Sequence, residues 1–108
     1  MNFKKQPWTP ADATDYIHAI AQDPNNVVLK IHAKERMEER GITILDVLYV
    51  LRNGFVCEMP ISATREGFFK YQIESKTQNS KNRIVRAVVI PDGSALIVKI
   101  ITVMFADK

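Results

Sequence analysis

The stretch RIVRAVVIPDGSALIVKIITVMF, from Arg83 to Phe105, decides the class of fold. Its first half alternates with period two: Arg83, Val85, Ala87 and Val89 share one face, and Ile84, Arg86, Val88 and Ile90 share the other. A period of two is that of a strand, whose successive side chains point to opposite sides. Pro91-Asp92-Gly93-Ser94 has the composition of a tight turn, and Ala95–Phe105 resumes as a β-branched run that is apolar on both faces. Strand, short turn, strand is an antiparallel hairpin. Working back toward the N-terminus, Phe68–Glu74 and Phe55–Ile61 read as two further strands, set off by the polar segments Ser75–Asn82 and Ser62–Gly67. Four strands joined by short loops predict an antiparallel meander.

The periodicity changes upstream of Gly54. Thr9-Pro10-Ala11-Asp12 opens a helix predicted to run to about Gln22, with Thr9 as cap, Pro10 where no N–H is needed and Asp12 against the helix dipole. Trp8 is placed to staple its start. A second helix is expected over 32–40, closed by Gly41 with Ile42 folding back on Met37. A third, over 44–52, is capped by Thr43 with Asp46; its apolar residues leave Asp46, Tyr49 and Arg52 or Asn53 for water, and Asn53-Gly54 ends it. Val27–Ile31 is either a brief strand or an extended lead-in. The expected fold class is therefore α+β: N-terminal helices packed on a curved, four-stranded antiparallel sheet, one domain over 1–108 with residues 1–26 as an N-terminal helical extension.

Composition bounds what such a domain can do. The chain has 108 residues, 46% apolar and 25% charged, ordinary for a globular domain and neither disordered nor membrane-like. No apolar run approaches the roughly 18 residues of a membrane span, and nothing at the start reads as an export signal, so a cytoplasmic location is expected. Cys57, the single cysteine, allows no internal disulfide and reads as a core or half-buried thiol. With two histidines beside it there is no metal-ligand spacing, and no cofactor is expected. The net charge of +3 favours polyanions only weakly.

One constellation could carry chemistry. His32, Arg36 and Arg40 recur every four residues, so on a helix they span about 80° of its surface and form a cationic ridge. Stacked arginines call for an anion, either a glutamate of the same helix such as Glu35 or Glu39, or a phosphate. Under the second alternative the arginines neutralise charge on a phosphate while the imidazole of His32 moves a proton to or from a ribose oxygen. Tyr71, Arg83 and Arg86 are the candidate RNA contacts from the sheet. Arg83 and Arg86 alternate onto opposite faces, so only one of them can face the ridge.

The segment His32-Ala33-Lys34-Glu35-Arg36-Met37-Glu38-Glu39-Arg40-Gly41-Ile42-Thr43 resembles the H-A-x-x-R-M-x-x-R-G-I-[ST] signature of the bacterial and phage domain-of-unknown-function family 4258. The likeness continues through the Asp46–Gly54 helix end and Val88–Val103, and leaves the first 26 residues outside it. That family looks like part of the RelE/ParE-like superfamily with its BrnT-type toxins. The resemblance implies N-terminal helices on an antiparallel sheet, mRNA cleavage without metal or cofactor, and neutralisation by an antitoxin. Such toxins place arginine and tyrosine on the last strands and tail, whereas this chain ends Ile-Thr-Val-Met-Phe-Ala-Asp-Lys.

Two functions follow as expectations. The first is a toxin-like endoribonuclease of a bacterial or phage type II toxin–antitoxin system, with His32, Arg36 and Arg40 as catalytic residues, and with an antitoxin and mRNA or the ribosome as partners. The second is a non-catalytic module of the same fold that binds a protein or nucleic acid. The two-sided apolar run Ala95–Phe105 also suggests a homodimer through the last strand. No membrane partner is expected.

Overall fold

The structure is a computed structural model, and it describes residues 2–106. Its α-helices are α1 (Pro10–Ile20), α2 (Ile31–Arg40) and α3 (Ile44–Asn53). Its strands are β1 (Val27–Leu29), β2 (Phe55–Val56), β3 (Ile61–Ser62), β4 (Phe69–Thr77), β5 (Arg83–Asp92) and β6 (Ile97–Phe105). The mixed α+β class is as expected; the four-stranded, all-antiparallel sheet is not. Six strands form an open sheet in the order β1-β6-β5-β4-β2, with β3 also on β4.

Two physical causes account for the difference. Val27–Leu29 completes a parallel pairing on β6, Val27 opposite Val98 and Leu29 opposite Ile100, so the segment is a strand and the sheet is mixed. The run 55–61 breaks in two because Pro60 has no N–H to give a ladder. Its halves pair separately with β4, Phe55 opposite Glu74 and Ile61 opposite Lys70.

Helix ends follow local chemistry. Thr9 Oγ1 accepts from Asp12 N–H at 3.2 Å to cap α1. Gly41 ends α2 at φ 67°, and Ile42 N–H then reaches Met37 C=O at 3.0 Å. Thr43 and Asp46 form a reciprocal capping box on α3. Gly54 is required for packing: a Cβ there would sit 2.6 Å from Val50 O and 2.7 Å from Glu74 O, so its absence lets the end of α3 meet β4.

The expected exposure pattern of α3 is corrected. Asp46 is buried with Val47, Val50 and Leu51, while Ile44 and Leu45 face water beside Tyr49, which lies there as expected. The carboxylate turns inward because Thr77 Oγ1 donates to its Oδ1 at 2.7 Å, and this sets the rotation of the helix.

All three helices cover one face of the sheet, and the core between them includes Ile17, Ile20, Val47, Leu51, Tyr71, Ile73, Val89 and Ile100. The N-terminal extension belongs to this core. Trp8 is 2% exposed, its ring lies 4.9 Å from that of Tyr16 and 5.7 Å from that of Tyr71, and its backbone N–H donates to Tyr71 Oη at 2.9 Å. Val56 N–H donates to Thr14 Oγ1 at 2.9 Å, and Arg52 Nε to Ala21 C=O at 2.8 Å. No helix among the described residues is long and apolar enough to cross a membrane.

Candidate functional site

Helix α2 follows β1 after one residue, Lys30, whose N–H still bonds Ile100 C=O at 3.1 Å. Ala33 is buried against β6 and Met37 packs half-buried beside it, so the opposite side of the helix faces outward. His32, Arg36 and Arg40 step along one flank of the helix, from its outward side at His32 to the border of its buried side at Arg40, and each already has a partner. His32 Nδ1 lies 3.2 Å from Glu35 Oε1, with its side chain 79% exposed. Arg36 donates to both oxygens of Glu39, at 3.1 and 3.2 Å. Arg40 donates to the backbone carbonyl of Val103 at 2.6 Å.

That last bond has a definite cause. β1 pairs with β6 only as far as Ile100, and Val103 C=O lies beyond the reach of that pairing. A guanidinium is therefore covering an edge carbonyl that no strand reaches.

The sheet candidates separate. Arg83 lies on the helix side of the sheet, with Val85, Ala87 and Val89, and its guanidinium carbon stands 3.7 Å from the centre of the Phe105 ring. Phe105 is two residues from Val103, so Arg83 and Arg40 meet the same end of β6. Arg86 is on the opposite face, where its Nε and a terminal nitrogen both donate to Glu74 Oε1 at 2.9 Å. Tyr71 is 0% exposed. Burial pushes its phenol above the usual 10.0, against the pull of the Trp8 N–H bond, and its hydroxyl reaches Gln6 Oε1 at 3.3 Å. The structure thus keeps Tyr71 in the core, out of reach of a ligand. The signal for this was in the sequence, because Tyr71 shares strand parity with Ile73.

Three features escaped the sequence reading. Cys57 is exposed rather than half-buried. A concavity of about 600 Å³ opens between the N-terminal arm and the β5–β6 turn, lined by Phe3, Lys5, Trp8, Phe68 and Gly93 among others, and none of its lining residues belongs to α2. Asp46 is the hub of a buried polar cluster. Burial raises its carboxyl, but hydrogen bonds from Thr43, Thr77 and Asn79 outweigh that and hold it below its ordinary 3.8. No group of three His, Cys, Asp or Glu side chains placed to hold a metal occurs among the described residues.

Three helices on one face of an open mixed sheet, with an exposed basic helix flank at the sheet edge, define a small α+β domain. The chain belongs to the family described as Domain of unknown function (DUF4258), whose model matches residues 29–105. No curated protein and no solved structure matches it. The match takes in α2 and α3 and starts at the last residue of β1, so α1 and the aromatic arm are additions to the matched region.

Proposed function

We propose that the chain is a toxin-like, RNA-directed domain of the RelE/BrnT kind, an endoribonuclease partnered by an antitoxin, with the outer flank of α2 as its RNA-contacting surface. The observation that carries the reading is the row of His32, Arg36 and Arg40 along one flank of α2, extended at its C-terminal end by Arg83 over Phe105. Arginine forks match phosphate geometry, and an exchange of Glu39 for a phosphate oxygen keeps the Arg36 hydrogen bonds.

His32 is oriented for proton transfer. Its Nδ1 is held by Glu35, which leaves Nε2 toward solvent. In the proposed step Nε2 takes the proton of a ribose 2′-OH as that oxygen attacks the adjacent phosphorus. The bond from phosphorus to the 5′ oxygen breaks, and the imidazolium returns the proton to that leaving oxygen. Arg36 neutralises the charge that develops on the phosphate.

A second reading keeps the surface and drops the chemistry: a non-catalytic module that binds RNA or a protein. Its support is that the α2 row lies on an outward flank rather than in the large concavity, with three glutamates of the same helix interleaved.

Inducible expression in bacteria, paired with cleavage of total RNA by the purified chain, separates the two. The endoribonuclease reading expects growth arrest and cleavage, with the rate cut about 10²–10⁴-fold by His32→Ala at an unchanged melting temperature. RNA binding that His32→Ala leaves intact, with no cleavage by the wild type, establishes the module instead.

A further inference from the structure

Among the described residues, no helix lies on the face of the sheet opposite α1, α2 and α3. Strand register identifies what points there: Phe55 opposite Glu74, Ile61 opposite Lys70, Val88 opposite Thr102, Met104 opposite Arg86, and Lys99 between Val28 and Ile90. Apolar and charged side chains are interleaved across it: the Glu74–Arg86 pair lies between Phe55 and Met104, and Lys70 and Lys99 flank Ile90. Phe55, Met59 and Ile61 are 64%, 61% and 66% exposed, and Ile84, Val88, Ile90 and Met104 are half-buried. Apolar side chains grouped this way on a small domain mark an interaction site rather than scattered surface. A notch of about 80 Å³ lies beside β3, lined by Met59, Ile61 and Val88 together with Lys70, Gln72 and Glu58.

The charges on this face say what fits it. Arg86 and Glu74 satisfy each other. Lys70, Lys76 and Lys99 have no ion pair among the described residues, and Glu58 is the one acidic group at the notch. A second copy of the chain would set these lysines against themselves, which disfavours self-association. RNA would meet aliphatic side chains across most of the face, with Phe55 alone offering an exposed ring for stacking.

We infer that the open face docks a second protein through an acidic amphipathic helix. Its apolar stripe lies along Phe55, Ile61, Val88 and Met104, with one side chain in the notch, and its carboxylates pair with Lys70 and Lys99. The surface is on the opposite side of the sheet from α2, so it stands whether or not α2 acts on RNA.

The test uses the full chain and a synthetic leucine/glutamate amphipathic peptide of about 20 residues, long enough to hold a helix. Fluorescence anisotropy is expected to show saturable binding that weakens with salt. The matching leucine/lysine peptide should not bind. Phe55→Ala, a change at an exposed side chain that leaves folding intact, is expected to weaken binding about tenfold or more. The double change Lys70→Glu with Lys99→Glu should abolish it at an unchanged melting temperature, and Arg36→Ala should leave it unaltered. Binding indifferent to these changes, equal binding of both peptides, or no binding overturns the inference. A concentration-dependent dimer disrupted by Phe55→Ala would assign the face to a second copy instead, and an oligouridine displaced by the lysine reversals would assign it to RNA.

Discussion

Replacing Asp46 by Ala is the sharpest perturbation of how this sequence holds its fold. The carboxylate accepts from Thr43 N–H at 3.0 Å, Thr77 Oγ1 at 2.7 Å and Asn79 Nδ2 at 3.2 Å, and so ties the start of α3 to the turn between β4 and β5. Loss of a capping interaction costs about 1 kcal/mol. Stranding the 2%-exposed Thr77, whose hydroxyl keeps no other acceptor among the described residues, adds about 1–3 kcal/mol. The total of about 2–4 kcal/mol corresponds to a fall in Tm of roughly 8–16 °C for a chain of this size. Asp46→Asn keeps the volume but turns an amide donor toward Asn79 and Thr77, so it should lose much of the same stability. The pH dependence separates the two kinds of loss. The folded pKa is depressed below the ordinary 3.8, so the contribution is fully present above that value and disappears as pH falls through the lower folded pKa. Thermal melts from neutral pH down to about pH 2 should therefore show wild type converging on Asp46→Asn only at the acid end. A Tm for Asp46→Ala within about 2 °C of wild type at pH 7, or parallel pH profiles for wild type and Asp46→Asn, would refute the reasoning.

Three further outcomes are expected. Arg40→Ala should cost about 1–2 kcal/mol, because it exposes Val103 C=O at an uncovered strand edge, whereas Arg36→Ala should change stability by less than about 0.5 kcal/mol, since its ion pair with Glu39 is on the surface; urea melts of the two variants check the order. Gly54→Ala should destabilise by about 1–3 kcal/mol, since both atoms its Cβ meets are backbone and cannot turn aside. Trp8→Ala should cost about 3–5 kcal/mol and expose Tyr71, read as lost near-ultraviolet circular dichroism and a raised Tyr71 solvent accessibility.

Punctuation made the helices legible. Thr9-Pro10, Gly41 and Thr43 each act through local geometry, and a residue's neighbours in sequence are its neighbours in a cap. The long strands were legible for a similar reason, since β5 shows its two faces in alternate residues. What escaped depends on partners far away in the chain. β1 is three residues long, too short to show a period, and exists because Val98–Ile100 accept it in parallel. Asp46 looks like a solvent-facing cap residue until Thr77 is placed beside it. The candidate site divides in the same way. The shared flank of His32, Arg36 and Arg40 is local helical geometry and is present, but whether a groove forms over it depends on tertiary packing, and the large concavity lies instead under the N-terminal arm.

The two arginines of the helix signature, four residues apart and chemically alike, do different work in this fold. At 100° per residue Arg40 falls about 20° from Ala33, the residue at the centre of the buried side, while Arg36 falls about 60° away. Arg40 is therefore carried over the edge of the sheet, where β1 has stopped at Leu29 and Val103 C=O stands beyond it; a single long cation closes that gap without burying its charge. Arg36 is half-buried, and its partner among the described residues is a glutamate one turn along its own helix. A ligand phosphate can take Arg36 by displacing an exposed carboxylate at little cost, but it can take Arg40 only by uncovering a backbone carbonyl. If α2 acts on RNA, Arg36 with His32 and Arg83 therefore carries the contact, and Arg40 holds the strand edge on which they are mounted.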